Sequence, residues 1–263
     1  MSDRSAWRDE LRVLLTAVQF FTRVPVPAWV GHGRAQLNAC LRWFPAVGLA
    51  VGAASAAVFV AVSALTTVPV GVVAAMLAGV LLTGGFHEDG LADSADGFGG
   101  GWTREQVLEI MKDSRVGSYA VIALVLVLLG RFALLSALGP ATVAALIAGH
   151  GTSRWMAASM VWQLDYVRLD DSARARPVAE QLGGASLALA ALPLLPALAG
   201  LGAASAGGLL LALGLRWALA RYLRRRLGGY TGDCLGATQQ LTELAFYLGV
   251  LATPALLARA TTP

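Results

Sequence analysis

Long apolar segments without charge are the feature that most limits how this chain can fold. From Pro69 to Phe86 the sequence contains no charged residue, and about 20 such residues let a helix cross the hydrocarbon core of a bilayer. Hydrophobic residues make up 57% of the 263 residues and charged residues 14%, whereas a soluble domain carries about 25% charged residues. We therefore predict one integral membrane domain over residues 1–263. The net charge of +4 belongs to its loops and does not indicate nucleic-acid binding.

The predicted fold class is all-α, a polytopic transmembrane helix bundle of about seven spanning helices plus an N-terminal interfacial helix. From Trp7 to Phe21 apolar residues recur at helical spacing, which suits a helix lying on the membrane or one packed on the bundle. The prolines of Val24–Pro27 end this helix. The segment at 184–204 contains Pro193 and Pro196 and is expected to be kinked or re-entrant. The spanning segments are expected at about 44–65, 69–86, 117–138, 140–162, 184–204, 206–223 and 237–258.

The connections between the predicted spans differ in charge. Some are short and carry no charge, whereas the longer ones at 87–116, 163–183 and 224–236 hold nearly all the loop charge. By the positive-inside rule, these longer connections and the N-terminus face the cytoplasm. A transporter usually also needs functional groups at the bilayer midplane. The charge asymmetry therefore favours an enzyme whose active site faces the cytoplasm.

An acidic string, His87–Gly97, follows the second apolar segment. On a helix, Asp89, Asp93 and Asp96 lie at i, i+4 and i+7 on one face, whereas Glu88 points about 100° away. Carboxylates this close repel each other, and Mg²⁺ is a hard cation that takes oxygen ligands. The string therefore predicts a magnesium site at the end of a membrane helix. The alternative is a solvated acidic loop.

Two further segments carry groups suited to phosphate. Lys112, Asp113 and Arg115 cluster where a short amphipathic helix meets the next span, and cations beside a carboxylate–metal site complement anionic oxygens. The glycine-rich turn at 228–236 contains Asp233 and opens a helix, whose first N–H groups can cradle an anion. Asp233 is expected to complete the metal site. The alternatives are ordinary juxtamembrane positive charge for the first segment and a flexible linker with a basic patch for the second.

Charged and imidazole groups inside the predicted spans are costly to bury. Arg154 follows a run of small residues that lets helices approach, and we expect it to reach the site. His150 is expected to be a satisfied interior histidine and not a ligand. Arg131 and Arg216 are expected to pair with carboxylates or to extend their charged ends towards the membrane surface.

Four strings together resemble the cobalamin synthase family, the adenosylcobinamide-GDP ribazoletransferases. They are Phe21–Pro27, Gly84–Gly97, Leu108–Gly117 and Gly229–Ala237. The resemblance spans most of the chain, and the combination is far more specific than any one string. Lys112, where Arg is as readily expected, and Cys234, where Thr is more usual, match the family only loosely. Neither departure removes a carboxylate.

The resemblance implies the final assembly step of the vitamin B12 nucleotide loop. Adenosylcobinamide-GDP reacts with α-ribazole, or its 5′-phosphate, to give adenosylcobalamin, or its 5′-phosphate, and GMP. The family requires Mg²⁺ and resides in the bacterial inner membrane. This chemistry agrees with the residue patterns, because a ribose hydroxyl attacks a substituted phosphate that a metal and cations can stabilise.

These considerations assign a role to each candidate residue. Asp96 or Asp113 is expected to be catalytic and to take the proton from the attacking hydroxyl. The expected metal ligands are Asp89, Asp93, Asp96 and Asp233. Substrate binding is assigned to His87, Lys112, Arg115, Arg154, Thr231 and Gly232.

Two other functions stay open at this stage. A phosphotransferase of the CDP-alcohol type, which makes lipids, joins an alcohol to a nucleotide-activated phosphate at a similar carboxylate site. It is expected to carry an Asp-Gly-x-x-Ala-Arg run, whereas Asp93 follows Asp89–Ala92 here. A cation or solute transporter would use the same carboxylates as a pathway. Assembly as a homo-oligomer also stays open. The motifs of P-loop ATPases, His-Glu-x-x-His zinc proteases and Gly-x-Ser-x-Gly hydrolases do not occur in the sequence.

Overall fold

The computed structural model describes residues 3–31, 33–167 and 182–260. Within these ranges the chain is helical, apart from turns and one isolated bridge between Tyr166 and Tyr230. Short 3₁₀ turns occur at Ala28–Val30, Leu41–Trp43, Gly139–Ala141 and Leu192–Leu194. The α-helices are α1 (Asp3–Phe21), α2 (Arg34–Cys40), α3 (Phe44–Leu65), α4 (Val68–Thr83), α5 (Phe86–Gly100), α6 (Arg104–Ile110), α7 (Ser118–Ala137), α8 (Thr142–Gln163), α9 (Gly184–Ala191), α10 (Leu195–Ala199), α11 (Ala204–Leu227) and α12 (Gly232–Ala260).

The all-α bundle with several apolar helices confirms the predicted fold class. Among the described residues, three helices are long and apolar enough to cross a membrane, namely Gln36–Leu65, Ser118–Ala137 and Gly232–Ala258. The helices α4 and α5 together form a fourth candidate, bent by 89°. The helices α8 and α11 have 22 and 24 residues, but α8 contains His150 and Arg154, and α11 is rich in arginine. Length and composition therefore support three or four spans within the described chain, whereas the sequence predicts about seven.

The predicted kink in segment 184–204 is present. Helix α9 ends at Ala191, the turn that follows contains Pro193, and α10 begins at Leu195 with Pro196 in its first turn. Proline at these positions removes a backbone donor and cannot continue the preceding helix. The segment is therefore a broken helix.

Glycines let the long helices approach closely, as expected for packing in lipid. A Cβ atom placed on Gly48 of α3 would lie 2.4 Å from the carbonyl oxygen of His150 in α8. Between α11 and α12, a Cβ on Gly249 would lie 2.2 Å from the carbonyl oxygen of Gly207. These contacts leave no room for a side chain, so the packing of both helix pairs depends on glycine.

The N-terminal helix α1 packs on the bundle. Ala17 and Phe21 are buried, and the Phe21 ring stacks on Phe44 with centroids 3.9 Å apart. Glu10 pairs with Arg42 and accepts a 2.7 Å hydrogen bond from the indole nitrogen of Trp43. Of the two alternatives for this helix, the structure therefore shows the contacts of a packed one.

The three charged connections meet at one end of the bundle. The Arg226 guanidinium donates to the carbonyl of Gly101 at 2.7 Å, which joins the end of α11 to the end of α5. The Tyr230 amide donates to the carbonyl of Asp165 at 2.9 Å, so the loop after α8 reaches the same place. The remainder of that loop, residues 168–181, lies outside the described residues. The described parts of the three connections therefore lie together at one end of the bundle.

Candidate active site

A sharp bend between α4 and α5 sets the direction of the acidic string. Gly84 and Gly85 both have positive φ angles, +70° and +73°, in the left-handed region that side chains other than glycine rarely adopt. Two such residues in succession end α4 and turn the chain by 89° into α5. The acidic residues therefore begin a new helix immediately beyond the apolar one.

Helix α5 carries Asp89, Asp93 and Asp96 on one face, which forms an acidic stripe. The helix crosses α12 at a glycine contact that brings the backbone of Asp233 close to this stripe. A Cβ on Gly90 would lie 2.9 Å from the carbonyl oxygen of Asp233 and 3.1 Å from the Cα of Gly236. Gly90 directly follows Asp89 in α5, and Asp93 lies one turn further along. The backbone of Asp233 therefore lies against α5 next to Asp89, and the role of Asp233 as a metal ligand stays a prediction.

The outer part of the stripe faces an open cleft. Asp89 is exposed and lines a cavity of about 590 Å³ at the α4–α5 bend, together with Arg23 and Glu88. Phe20, Phe86 and other apolar side chains line the rest of it. Asp93 is half-buried. The cleft therefore offers both charged and apolar contacts next to a carboxylate.

Asp96 at the other end of the stripe caps a helix. Its Oδ2 accepts from the Gly117 amide at 2.6 Å and its Oδ1 from the Ala120 amide at 2.9 Å, both in the first turn of α7 or just before it. A Cβ on Gly117 would lie 2.6 Å from Asp96 Oδ1, so this approach requires glycine. Each carboxylate oxygen has a second lone pair, so capping leaves acceptor capacity.

Asp113 and Arg115 pair with each other on the surface, in the connection just before α7. The Arg115 Nε lies 2.9 Å from Asp113 Oδ2, and the Arg115 side chain is 89% exposed. Hydrogen bonds from Arg115 lower the pKa of the Asp113 carboxyl to about 2. Lys112 beside them is also exposed. Asp113 is therefore fully ionised near neutral pH and is a weak base in this arrangement.

The glycine-rich turn positions Asp233 through Thr231. Thr231 is buried, and its hydroxyl oxygen accepts from the Cys234 amide at 3.3 Å at the start of α12. The same hydroxyl lies 3.3 Å from Asp233 Oδ2. Gly232 is exposed at the helix start. Thr231 thus supports the helix start, whereas Gly232 leaves the backbone open to a ligand.

A buried ionic network lies directly behind the stripe. Glu88 Oε1 accepts a hydrogen bond from the side-chain amide of Gln240 at 3.0 Å and lies 3.8 Å from the Arg131 guanidinium. Arg131 also reaches Glu243, with Nε 3.4 Å from Oε1, and donates to Gln240 at 2.5 Å. This confirms the expectation that Arg131 pairs with carboxylates.

The histidines and Arg154 extend the network towards α1. Arg154 is 2% exposed, donates to the carbonyl of His150 at 2.9 Å and lies over the Phe44 ring. His150 lies 3.5 Å from Glu243, in agreement with a satisfied interior histidine. His87 is buried and stacks on Phe44, with centroids 5.7 Å apart. Arg154 and His87 therefore share an aromatic contact behind the acidic stripe.

Comparison with known proteins decides the family. The family model described as cobalamin-5-phosphate synthase matches residues 13–251. A protein of Shewanella woodyi named adenosylcobinamide-GDP ribazoletransferase is 46% identical over 253 residues, which cover 93% of this chain and 97% of its own. The chain belongs to the cobalamin-5-phosphate synthase family. A protein of the same name from Shewanella putrefaciens is 47% identical over 262 residues, 98% of this chain and the whole of its own. No solved structure matches the chain.

In this member of the cobalamin-5-phosphate synthase family, the sequence does not predict the buried network around Glu243. Glu243, Gln239 and Gln240 lie on one helix, and Arg131 comes from another, so no local string groups them. One sequence feature does point to the network. Ionisable residues inside membrane helices almost always pair with one another, so Arg131 and Glu243 are each expected to have a buried partner. The sequence places Glu88 about 100° from the acidic face of α5, and in the structure Glu88 joins α5 to this network.

Proposed function

We propose that the chain catalyses the last step of the cobalamin nucleotide loop. In this step adenosylcobinamide-GDP and α-ribazole, or its 5′-phosphate, are joined and GMP leaves. The observation that carries the proposal is the full-length similarity to proteins named for this transfer. The cleft at the α4–α5 bend supports it, because a charged and apolar cavity beside a carboxylate suits a nucleotide-linked substrate.

Mg²⁺ fits the chemistry of the residues at this site. Carboxylate oxygens are the ligands Mg²⁺ prefers, and it is commonly held by one or two carboxylates plus substrate phosphates and water. Among the described residues no group of three or more His, Cys, Asp or Glu side chains is gathered closely enough to hold a metal ion. Asp89 and Asp93 would hold the Mg²⁺ ion, and substrate phosphates and water would complete its coordination. When bound, the ion would neutralise charge on the phosphates.

The chain's own residues would bind the substrates and move one proton. The attacking ribose hydroxyl must lose a proton as its oxygen bonds to phosphorus and the bond to GMP breaks. Asp96 is the better of the two predicted acceptors, because it shares the stripe with Asp89 while Arg115 lowers the pKa of Asp113 to about 2. Lys112 and Arg115 would contact phosphate oxygens, and Gly232 would offer a backbone amide.

We further propose that the site faces the cytoplasm of a bacterial inner membrane. The basis is the positive-inside rule applied to the end of the bundle where Gly101, Arg226, Tyr230 and Asp165 meet. Thr231 and Met111 also meet there, with Oγ1 3.9 Å from Sδ. Soluble nucleotide-linked substrates would reach this surface without crossing the bilayer.

A direct test measures GMP release from adenosylcobinamide-GDP and α-ribazole by the purified protein in detergent, with and without Mg²⁺. We expect GMP formation that depends on both substrates and on Mg²⁺. Release of CMP from a CDP-alcohol, without GMP from the corrinoid, would identify the lipid-type phosphotransferase instead. Solute uptake into sealed vesicles without GMP formation would identify the transporter. Either result overturns the proposal.

A further inference from the structure

The cleft at the α4–α5 bend contains a cation for which the site described above gives no role. Arg23 follows α1, and its backbone amide donates to the carbonyl of Leu82 at 2.7 Å, which ties it to the end of α4. Its side chain is exposed and lines the same cavity as Asp89. Within the described part of the chain, no ion pair joins Arg23 to another residue.

The two bend glycines leave room for the Arg23 side chain and for a ligand at the cleft. A Cβ on Gly84 would lie 2.3 Å from Arg23 Nε, so the arginine lies directly across the backbone of the bend. A Cβ on Gly85 would meet no atom within 4 Å, so the floor of the cleft beside it is open. A bare backbone beside an arginine is a surface that a bulky anionic group can approach closely.

The nearby carboxylates do not explain the position of Arg23. Glu88 turns inward to Arg131 and Gln240, and Asp89 remains exposed on the cleft wall. An arginine fork that faces an open cavity matches phosphate oxygens in geometry as well as in charge.

We infer that Arg23 binds a phosphate group of the substrates in the cleft at the α4–α5 bend. The inference rests on the proposed function and adds a phosphate-binding residue outside the acidic stripe and the two predicted basic segments. The phosphate has two sources, the diphosphate of adenosylcobinamide-GDP or the 5′-phosphate of α-ribazole. Phe20 and Phe86 would cover the apolar part of whichever substrate lies there.

The test compares Arg23→Gln and Arg23→Lys with Arg104→Gln. Arg104 is an exposed arginine at the start of α6, outside the cleft, so its variant makes the same change of charge. We expect Arg23→Gln to raise KM at least about tenfold for the substrate whose phosphate it binds, since a charged hydrogen bond contributes that much to affinity. Arg23→Lys keeps part of the effect because it keeps the charge, and Arg104→Gln stays near wild type.

Two arms identify the source of the phosphate. A rise in KM for adenosylcobinamide-GDP, together with weaker binding of that substrate in equilibrium dialysis without Mg²⁺, assigns the diphosphate. A rise for α-ribazole 5′-phosphate but not for α-ribazole assigns the 5′-phosphate. Gly84→Ala is expected to reproduce the defect by displacing Arg23, and the Arg23 variants decide the matter if Gly84→Ala fails to fold. If wild type releases GMP and Arg23→Gln matches Arg104→Gln in every arm, the inference is wrong and the proposed function stands.

Discussion

Glu88 and Asp89 are neighbours in the chain, but they belong to two regions of opposite character. Glu88 enters a buried network in which Arg131 and Gln240 satisfy its Oε1. Asp89 lies on the wall of an open cleft. In a low-dielectric interior, a carboxylate persists as a charge only when it is paired. The buried network therefore joins α5 to α7 and α12, whereas the carboxylate of Asp89 is exposed to a ligand in the cleft.

The largest effect is expected from removing Glu243, the carboxylate at the centre of the buried network. Glu243 is fully buried and accepts from Gln239 at 2.6 Å and from Tyr247 at 3.1 Å. Glu243→Ala leaves Arg131 with Glu88, 3.8 Å away, as its carboxylate partner, and we expect a loss of about 3–5 kcal/mol in the free energy of unfolding. Denaturation in detergent micelles measures this, with Glu109→Ala on the exposed face of α6 as the control. Equal stability of the two variants would contradict the structural role of the network.

The second-largest effect is expected on activity and not on stability, which distinguishes the acidic stripe from the buried network. Asp89→Asn and Asp93→Asn are expected to lower kcat/KM for GMP release at least about 100-fold, which is about 2.7 kcal/mol of transition-state stabilisation. The free energy of unfolding of Asp89→Asn should stay within about 0.5 kcal/mol of wild type, because Asp89 is exposed and substitutions at exposed positions seldom destabilise. Glu105→Gln on α6 makes the same chemical change away from the cleft. Near-normal turnover in both aspartate variants would exclude a metal site on the stripe.

Asp96 belongs to the stripe and also caps α7, and its variants separate these two roles. Asp96→Ala removes the acceptor for the amides of Gly117 and Ala120, and we expect a loss of about 1–2 kcal/mol in the free energy of unfolding. Asp96→Asn keeps one acceptor and should lose less. Thermal unfolding and GMP release are measured on the same samples. Inactivity with unchanged stability would assign Asp96 to the chemistry alone.

The smallest effect concerns Asp113 and pH. The pKa of its carboxyl falls from 3.8 to about 2 beside Arg115, so the pair stabilises the folded state fully above about pH 4 and loses this contribution as the pH falls through 2. Between pH 5 and 9 the Asp113 carboxyl should not titrate. The acidic limb of the pH–rate profile is therefore expected to be the same in Asp113→Asn and wild type. A shift of that limb in the variant would show that Asp113 supplies the titrating base.

The sequence predicts the parts of this molecule that depend on local pattern. The apolar period places α3, α7 and α12, and the Asp89–Asp93–Asp96 spacing places the stripe on one helix. It also anticipates the close approach of Asp233 through the glycine-rich turn. Predictions of metal binding and of substrate contacts at these residues stay predictions.

The parts that the sequence does not predict depend on distant pairing. The capping of α7 by Asp96 joins residues 21 and 24 positions apart. The link from Glu88 to Gln240 spans 152 positions. No periodicity encodes such pairs, because they form only when the helices have packed. The number of spans is equally hard to predict, since a buried helix such as α8 satisfies its polar side chains inside the bundle and has no need of uniform hydropathy.

The length of α4 has a consequence for the surrounding lipid. Its 16 residues rise about 24 Å, whereas the hydrocarbon core of a typical bilayer is about 30 Å thick. Because the chain turns by 89° where α4 ends, α5 cannot make up the difference in length. Such a hydrophobic mismatch thins the bilayer locally or draws water and headgroups inward. The depth at which the acidic helix α5 lies in the membrane would therefore depend on the thickness of the bilayer.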